Sequence, residues 1–388
     1  MQVVDQIKGS PFLTGEHLAR LTSRYVAIRS VNGVDAERDL AMVIASDLDD
    51  AGWTTHVVGD ERRPSVAATL GDRLPRIVLN GHLDTVPVDD AERWEHDPFS
   101  GTIAVGRVYG RGACDMKGGL AIQVAVAQWL AASHSASGVV LQLAMGEERG
   151  EPGTEDLIEA GFVAPHGIVL EPTDLKIGVA QRGLVTIRID IEGRAGHASR
   201  PDLTNNPIER LPRLLQVIEG LGEANPRTHP LLGRPAWTTT AVEAGTIPSM
   251  VPGQATVLVD RRMIPGEDAD SAVAEIRAVL GSSLPDVMFG VSIVEEEGVY
   301  EPAETAPDSL SVRSLTRARQ IFGDPVELFG TPYSSDIRHL INTAGVDAVT
   351  FGPGRFEEMH ARDEHVDVDD LQRAAWAVAA YCAFIAES

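Results

Sequence analysis

The chain has 388 residues, of which 43% are hydrophobic and 5% aromatic, and its formal net charge at pH 7 is −24. At this length a single hydrophobic core stops growing, so we expect two domains. The negative charge excludes nucleic acids and anionic membranes as partners, because their phosphates attract basic protein surfaces.

Cysteine content and the ends of the sequence bear on the compartment. The two cysteines, Cys114 and Cys382, are too few for a disulfide framework in a chain of this size. The sequence after Met1 has no basic segment followed by an apolar run, so no signal peptide is expected. The apolar run near Ala374 to Ala386 is too short to span a bilayer and predicts a packed helix. These features predict a cytoplasmic protein.

The first half of the chain alternates helical and strand-like patterns. Helical periodicity covers 36–51 and 118–132, and short apolar runs occupy 65–70, 76–80, 138–145 and 167–171. Strands that are apolar throughout and separated by helices indicate a sheet with helices on both faces.

The pattern changes near residue 182, where 184–192 alternates strictly between apolar and polar residues, as in a half-exposed strand. The following segments predict a helix at 206–221, strands at 236–246 and 253–262, a turn at 249–252, a helix at 267–280 and a strand at 287–295. This β-α-β-β-α-β order is the ferredoxin-like arrangement. A buried strand at 346–351 and a helix at 368–386 then resume the earlier pattern.

We therefore predict an α/β fold with an insertion. A mixed-sheet catalytic domain, covered by helices on both faces, would comprise 1–181 and 296–388. A ferredoxin-like α+β domain would be inserted between these parts, at 182–295.

Residues that bind metals or carry protons follow several predicted strands. His82 and Asp84 lie two residues apart at a strand end, so both side chains would project from one face. A metal-bound imidazole commonly donates its second N–H to a carboxylate, which suggests that Asp84 orients His82. A structural histidine beside a capping aspartate in a turn is the alternative, and the spacing alone does not exclude it.

Asp115 precedes a predicted helix within the glycine-rich segment 112–119. The glycines allow the backbone to approach a ligand closely, and a helix N-terminus favours an anion. A lone aspartate in such a turn also fits a structural role. The neighbouring Cys114 is predicted to be a small buried residue rather than a thiolate ligand, because the other candidate ligands are carboxylates and imidazoles.

Two adjacent carboxylates, Glu147 and Glu148, follow another predicted strand, and Glu171 ends the next one. Buried carboxylates are costly unless they are paired or bound to metal, although a solvated acidic turn would also explain the adjacent pair. Ligands of open α/β sheets gather outside the carboxyl ends of the strands. The convergence of these residues with His82 therefore predicts a metal-dependent hydrolase that keeps one carboxylate for proton transfer.

Taken together, these motifs resemble the family of di-zinc hydrolases that includes acetylornithine deacetylase, succinyl-diaminopimelate desuccinylase and glutamate carboxypeptidase. The similar segments are GHLDTVP, GRGACDMKGGLA, GEERGEPGT, LEPT, GRAGHAS, the DxR of 260–262, and FGPG followed by His360 and 363–364. The similarity extends from about residue 15 to the end. It implies hydrolysis of the amide C–N bond of an N-acyl amino acid or a similar small carboxylate-bearing amide.

The resemblance also implies a set of metal ligands. His82 and Glu171 would complete the shell of one ion, Glu148 and His360 that of the other, and Asp115 would bridge the two. Two divalent cations are therefore expected. Zn²⁺ suits these ligands, and Co²⁺ or Mn²⁺ are alternatives that use similar donors.

The remaining catalytic roles follow from the same resemblance. Asp84 would orient His82, and Glu147 would be the general base. His197 matches a histidine of the inserted domain that reaches the active site of a neighbouring subunit and stabilises the oxyanion. The inserted domain is thus expected to join a homodimer, and a small molecule is the expected substrate.

The sequence departs from the family in the residues that would contact substrate. Ser249 stands where relatives usually carry an asparagine, and 295–302 lacks the arginine of the carboxypeptidase branch. The segment 335–338, SDIR, instead resembles the desuccinylase branch. The candidate carboxylate-binding residues are Arg182, Arg262 and Arg338. Each of these arginines also fits a structural ion pair.

Three other functions remain open. One is a dipeptidase or carboxypeptidase that acts on short peptides. Another is a hydrolase of a non-peptide C–N bond, such as that of a formamide or an aromatic amine, which the altered residue at 249 keeps in consideration. The third, a metal- or ligand-binding protein without activity, is disfavoured because Asp84 and Glu147, which such a protein would not need, are both present.

Overall fold

The computed structural model of the protein describes residues 2–35, 37–133 and 138–387. The chain forms two compact units. The first comprises Met1–Val179, Thr305–Phe329 and Ser335–Ser388, and the second comprises Ala180–Glu304 and Gly330–Ser334. The second unit interrupts the first, and it extends beyond both ends of the insertion that was expected at 182–295.

Helices occur in both units. They are α1 (Gln2–Lys8), α2 (Gly15–Val26), α3 (Arg38–Asp50), α4 (Gly118–Ala132), α5 (Gly153–Glu159), α6 (Leu211–Ala224), α7 (Ala269–Ser283), α8 (Leu310–Ile321) and α9 (Val368–Glu387). The expected helices at 118–132 and 368–386 match α4 and α9. The helix expected at 36–51 corresponds to α3, which is shorter at both ends, and residue 36 is outside the described residues. Across the described ranges, no helix combines the length and apolarity needed to cross a bilayer.

Most strands are short, and they belong to four sheets within the described residues. They are β1 (Thr54–Gly59), β2 (Pro64–Thr69), β3 (Ile77–His82), β4 (Ile103–Ala104), β5 (Arg107–Tyr109), β6 (Val139–Ala144), β7 (His166–Val169), β8 (Ile177–Gln181), β9 (Gly183–Glu192), β10 (Gly196–His197), β11 (Ala236–Ala244), β12 (Met250–Val251), β13 (Gln254–Met263), β14 (Phe289–Ile293), β15 (Val299–Tyr300), β16 (Ala303–Glu304), β17 (Leu328–Thr331), β18 (Asp347–Thr350) and β19 (His365–Asp367).

The main sheet of the first unit is mixed, as expected, with the strand order β1-β2-β6-β3-β7-β18-β8. The central strands β6, β3, β7 and β18 pair in parallel, and β1, β2 and β8 pair antiparallel. In the register of β3 against β6, His82 lies opposite Ala144. The segments that follow β3, β6 and β7 therefore start at the same edge of the sheet, where ligands of such sheets bind.

Helix α4 brings a further segment to this edge. It is apolar on nearly all sides and almost wholly buried, as expected for a helix that packs between a sheet and other helices. A Cβ atom added at Gly119 would lie 2.4 Å from the backbone oxygen of Leu170. Glycine at this position therefore allows the start of α4 to approach the end of β7, which places Asp115 beside the strand ends.

The second unit has the ferredoxin-like order β9-α6-β11-β13-α7-β14, with an antiparallel sheet arranged β11-β13-β9-β14. The alternation in β9 buries Val185, Ile187 and Ile189 in a core with residues of α6 and α7. The segment 249–252, expected to be a turn, contains β12, which pairs with β10 next to His197. Side-chain alternation thus predicted this unit correctly, because one face of its sheet is covered and the other is open.

The central strand β3 should contribute strongly to the stability of the first unit. Leu79 in this strand is 0% exposed, whereas Leu74, in the loop before it, is 88% exposed. We expect Leu79→Ala to lower the free energy of unfolding by about 2–5 kcal/mol, because it leaves a cavity in the core. Leu74→Ala should change it by less than about 0.5 kcal/mol. Scanning calorimetry of the two variants checks this, and equal melting temperatures would contradict the burial of Leu79 in the core.

Candidate metal centre

His82, at the end of β3, lies at one side of a buried cluster of carboxylates. Its Nε2 is 3.1 Å from Oδ1 of Asp115 and 3.4 Å from Oε1 of Glu171. All three side chains are buried. The strand end, the turn before α4 and the segment after β7 therefore meet at one point, as the sequence predicted.

His360 lies at the other side of Asp115. Its Nε2 is 3.2 Å from Oδ2 of Asp115 and 3.1 Å from Oε2 of Glu148. Each oxygen of the Asp115 carboxylate thus faces a different imidazole. His360 lies 189 residues after Glu171 in the sequence, so spacing alone did not identify it, and only the family resemblance did.

Two overlapping sets of side chains could each hold one metal ion. The ligand atoms of His82, Asp115 and Glu148 all lie within 4.8 Å of one another, and so do those of His82, Glu147 and Glu171. Metal–ligand bonds of about 2.0–2.2 Å for nitrogen and oxygen donors fit such spacings. Glu147 therefore lies close enough to the cluster to act on a water molecule bound there or to bind metal itself.

The three glutamates of the cluster share an environment that disfavours negative charge. Burial, assisted by the Asp115 carboxylate, raises the pKa of Glu148 to about 7 and that of Glu171 to about 7. Burial also raises the pKa of Glu147 well above its usual range, and the carboxylates of Glu171 and Asp336 add to this effect. Positive charge is therefore needed to keep these groups ionised.

The two imidazoles respond in the opposite direction. Burial alone would lower the pKa of His82, but the carboxylates of Glu171 and Asp115 outweigh it and raise that pKa well above the usual value. Hydrogen bonds to Asp115 and Glu148 raise the pKa of His360 to about 10. Burial would raise the pKa of Asp115, yet its hydrogen bonds with His360 and His82 lower it.

The residues of the cluster fit a pair of divalent cations. Two imidazoles and four carboxylates converge there, which is the donor set that Zn²⁺ and related ions use. Oε1 of Glu148 is buried and has no hydrogen-bond partner among the described residues, so this oxygen is available as a ligand.

The sequence profile of peptidase family M20/M25/M40 matches residues 78–383, which include every residue of the cluster. The chain belongs to this family. It is therefore a hydrolase of amide bonds and a metal-dependent enzyme, as the strand-end motifs predicted. The cluster described above is the candidate metal site of this M20-family chain.

Characterised relatives act on several kinds of acylated amine. Acetylornithine deacetylase from Myxococcus xanthus is 33% identical over 350 residues, with 86% of each chain covered. Succinyl-diaminopimelate desuccinylase from Rhodospirillum centenum is 31% identical over 353 residues, covering 84% of this chain and 87% of the relative. A deformylase of N-formyl-4-amino-5-aminomethyl-2-methylpyrimidine from Halalkalibacterium halodurans is 26% identical and covers 79% of each.

Solved structures of M20-family proteins share this fold. A metallo-carboxypeptidase from Sulfolobus solfataricus superposes with a TM-score of 0.79 at 18% identity, covering 96% of this chain and 99% of the other. A dinuclear metal binding peptidase from Bacillus subtilis superposes with a TM-score of 0.74 at 16% identity, covering 96% and 98%. These similarities confirm the α/β fold with an inserted domain.

Asp84 links His82 of the cluster to the adjacent residues Glu147 and Glu148. The backbone carbonyl of Asp84 lies 2.9 Å from Nδ1 of His82, closer than its carboxylate oxygen, which lies 3.5 Å away. The carboxylate instead accepts hydrogen bonds from the backbone N–H groups of Glu147 and Glu148, each at 3.1 Å. Asp84 thus holds the Glu147–Glu148 turn as well as the imidazole, which its spacing from His82 did not reveal.

A buried polar network supports Asp84 from behind. Asn32 donates to the Asp84 carboxylate at 2.6 Å, and Arg63 donates to the side-chain oxygen of Asn32 at 3.3 Å. Arg63 is held in turn by Glu37 at 2.7 Å and by Glu151 at 2.5 Å. Asn32, Glu37 and Arg63 could not be identified from the sequence, because nothing in their local patterns links segments that lie so far apart in the chain.

A second buried ion pair braces the other side of the cluster. Arg111 donates to Oε2 of Glu364 at 2.6 Å and to the backbone carbonyl of His360 at 3.3 Å. Oε1 of Glu364 accepts from the backbone N–H groups of Cys114 at 2.9 Å and Asp115 at 3.0 Å. The pair therefore fixes the backbone of Asp115 and of His360. Arg111 and Glu364 both belong to the motifs that resemble the family, but the sequence indicated no role for either residue.

The three arginines predicted to bind a substrate carboxylate all donate hydrogen bonds to nearby protein oxygens. Arg338 is buried in the first unit and donates to the backbone carbonyl of Ser335 at 3.1 Å. In the second unit, Arg182 donates to backbone oxygens of Leu232 and Arg234. Arg262 forms two hydrogen bonds with Asp260, at 3.0 and 3.2 Å. His197, the predicted oxyanion donor, and Ser249, the fourth predicted substrate contact, both have exposed side chains.

The buried ion pair of Arg111 and Glu364 should control metal affinity. We expect Arg111→Gln to lower the affinity for Co²⁺ or Zn²⁺ about 10–100-fold, because supporting contacts of metal ligands have effects of this size. Arg111→Lys should retain part of the affinity. Competition with a chromophoric chelator gives the affinities, and circular dichroism shows whether each variant is folded.

A neighbouring ion pair provides the matched control for this test. Arg107 in β5 donates to Asp367 in β19 at 2.8 Å. Arg107 lies four residues before Arg111 and Asp367 three residues after Glu364, and neither belongs to the cluster. Arg107→Gln should leave metal affinity within about 2-fold of the wild type, since partly exposed pairs contribute little. Equal effects of Arg107→Gln and Arg111→Gln would contradict the assigned bracing role.

Proposed function

We propose that the protein is a di-metal amidohydrolase that removes the acyl group from an N-acyl amino acid or a similar small carboxylate-bearing amide. The observation that carries this proposal is the position of Asp115 between His82 and His360, with Glu147 beside them. The similarity to an acetylornithine deacetylase and a succinyl-diaminopimelate desuccinylase supports this substrate class. A cytoplasmic location is proposed with it, from the sequence composition.

In the proposed metal arrangement, His82 and Glu171 hold one ion and His360 and Glu148 the other, with Asp115 between them. The distances of 3.1–3.4 Å from the imidazoles to these carboxylates support the assignment. Zn²⁺ is the proposed metal, and Co²⁺ or Mn²⁺ suit the same donors. When bound, such ions acidify water and polarise a carbonyl oxygen.

Glu147 is proposed as the general base. Its carboxylate is buried near Glu171 and His82, and its backbone N–H is fixed by Asp84. The carboxylate would take a proton as the oxygen of water bonds to the carbonyl carbon. It would then return that proton to the nitrogen as the C–N bond breaks, so that an amine and a carboxylic acid leave. Positioned bases contribute about 10²–10⁴-fold to such reactions.

His197 is proposed to donate a hydrogen bond to the oxyanion in the active site of a partner subunit. Nδ1 of His197 lies 3.1 Å from the backbone N–H of Ser199, which can only donate, so Nδ1 is the acceptor. In the neutral ring, the proton is then on Nε2, which is free to donate outward. Donors aimed at the developing charge are among the largest contributors to acyl-transfer catalysis. A homodimer joined through the inserted unit is part of this proposal.

The general base gives the most direct test of the proposed function. We expect Glu147→Gln to lower kcat at least about 10²-fold while the protein keeps its metal, because the proton acceptor is lost. Glu159→Gln, which changes an exposed glutamate of α5, is the control and should remain active. Metal content is measured by mass spectrometry and turnover by release of free amine. Full activity of a metal-loaded Glu147→Gln variant would exclude this general base.

The same assay selects among substrate classes. Metal-loaded wild-type protein should release amine from N-acetyl or N-succinyl amino acids, and prior treatment with a chelator should abolish the release. Dipeptides and formamides are the comparison substrates, since they represent the peptidase and non-peptide alternatives. Exclusive turnover of either comparison class, or chelator-resistant turnover, would contradict the proposal.

Mixing two inactive variants tests the contribution from a partner subunit. We expect His197→Ala and Glu147→Gln to be poorly active alone. An equimolar mixture should regain up to about a quarter of the wild-type activity, because about half of the dimers are mixed and one of the two active sites in each mixed dimer receives both intact residues. The variants are exchanged under mild denaturant and assayed after removal of the denaturant. A fully active His197→Ala variant, or no recovery in verified mixed dimers, would contradict the action of His197 across subunits.

A further inference from the structure

A pocket of about 440 Å³ adjoins the metal cluster within the first unit. His360 lines this pocket, and the same imidazole contacts Asp115 and Glu148 in the cluster. A substrate whose scissile amide lies at the cluster can therefore extend a neighbouring group into the pocket. What this group is depends on the chemistry of the walls.

One wall of the pocket is apolar and fixed in place. It is formed by Val86, Pro87 and Trp94. The guanidinium carbon of Arg111 lies 5.3 Å from the ring centroid of Trp94, so the indole is held by the residue that also braces His360. Since the charge of Arg111 is already paired with Glu364, this wall offers packing surface rather than a free cation.

Arg362 supplies a cation on the rim of the pocket, two residues after His360. Its Nε lies 3.8 Å from Oδ2 of Asp363. The other carboxylate oxygen of Asp363 accepts a hydrogen bond from the backbone N–H of Glu95 at 2.6 Å. Among the described residues, none accepts a hydrogen bond from the terminal nitrogens of Arg362. By contrast, the three arginines predicted from sequence all donate to protein oxygens.

Asp89 and Asp90 lie on the same rim and limit which anions fit. The Asp90 carboxylate is 3.1 Å from the guanidinium of Arg93, which offsets part of its charge. A polyanion such as a phosphate ester would still meet these carboxylates at close range. A single carboxylate, which pairs with one guanidinium through two parallel hydrogen bonds, suits the rim better.

We propose that this pocket binds a carboxylate-bearing group of the substrate, with its apolar part against Trp94 and its carboxylate on Arg362. Arg362 is thus the residue that selects acidic amides over neutral ones. The inference rests on the proposed function, because it places the scissile amide at the metal cluster. The carboxylate comes from either the amine or the acyl side of the amide, and both sources share this chemistry.

Three probes that differ in one carboxylate separate these cases. N-acetyl-L-ornithinamide has none, N-acetyl-L-ornithine has one on the amine side, and N-succinyl-L-ornithinamide has one on the acyl side. Binding of each probe to the metal-loaded protein with Glu147→Gln is measured by calorimetry, which does not require turnover. Hydrolysis by the protein with an intact Glu147 is measured in parallel.

We expect one of the two acidic probes to bind at least about 10-fold more tightly than the neutral probe. Arg362→Gln should remove this preference, since charge-assisted hydrogen bonds contribute effects of about 10–100-fold. Arg362→Lys should keep part of it. In turnover, the loss should appear mainly in KM, because the contact is made equally in the ground and transition states.

Arg355 provides the matched control. It is 55% exposed against 56% for Arg362, belongs to the same segment before β19, and does not line the pocket. Arg355→Gln should leave the preference for the acidic probe within about 2-fold. An unchanged preference in Arg362→Gln, equal losses in both variants, or the absence of any preference in the wild type would overturn the inference. Tight binding of acidic probes through Arg362 without hydrolysis would instead overturn the proposed function alone.

Discussion

The mutual repulsion of buried carboxylates is the constraint on which the rest of the site depends. Asp115, Glu147, Glu148 and Glu171 converge in a region where burial alone disfavours their ionised forms. Such a group is stabilised where positive charge lies among the oxygens, and the imidazoles of His82 and His360 lie on the two sides of Asp115. A pair of divalent cations satisfies the same requirement more completely, which connects the electrostatics of the cluster to the metal dependence of its family.

Holding like charges together also requires a rigid frame, and the chain provides it through hydrogen bonds to backbone groups. Asp84 holds the turn of Glu147 and Glu148, and Glu364 holds the backbone of Asp115. Behind these two acids, Asn32 and Arg111 are buried donors that fix each carboxylate. The positions of the candidate ligands thus depend on neighbouring residues that are not candidate ligands themselves, and the surroundings of metal sites generally orient the ligands in this way.

The two units have different physical tasks. Parallel strands of the first unit bring their carboxyl ends, and with them the candidate ligands that follow, to one edge of a buried sheet. The second unit carries His197 on β10, a short strand that pairs with β12 in a separate two-stranded sheet, and the side chain of His197 is exposed there. Within the first unit, the pocket beside His360 offers the apolar surface of Trp94 and the positive charge of Arg362. Selection among acylated substrates would take place in this pocket.

The sequence by itself determined the fold class and the ferredoxin-like insertion, and it pointed to most of the residues that meet in the candidate metal site. Apolar runs and strict alternation report which strands are buried, and glycine-rich strand ends mark where ligands gather, so these features are local. His360 came only from the family resemblance. Only the tertiary structure showed the hydrogen bonds that hold these residues in place. Asp84 accepts from two backbone N–H groups and from Asn32, and Arg111 pairs with Glu364, which lies 253 residues later in the chain. Ion pairs and hydrogen bonds of this kind leave no periodic trace, because their partners become neighbours only when the chain folds.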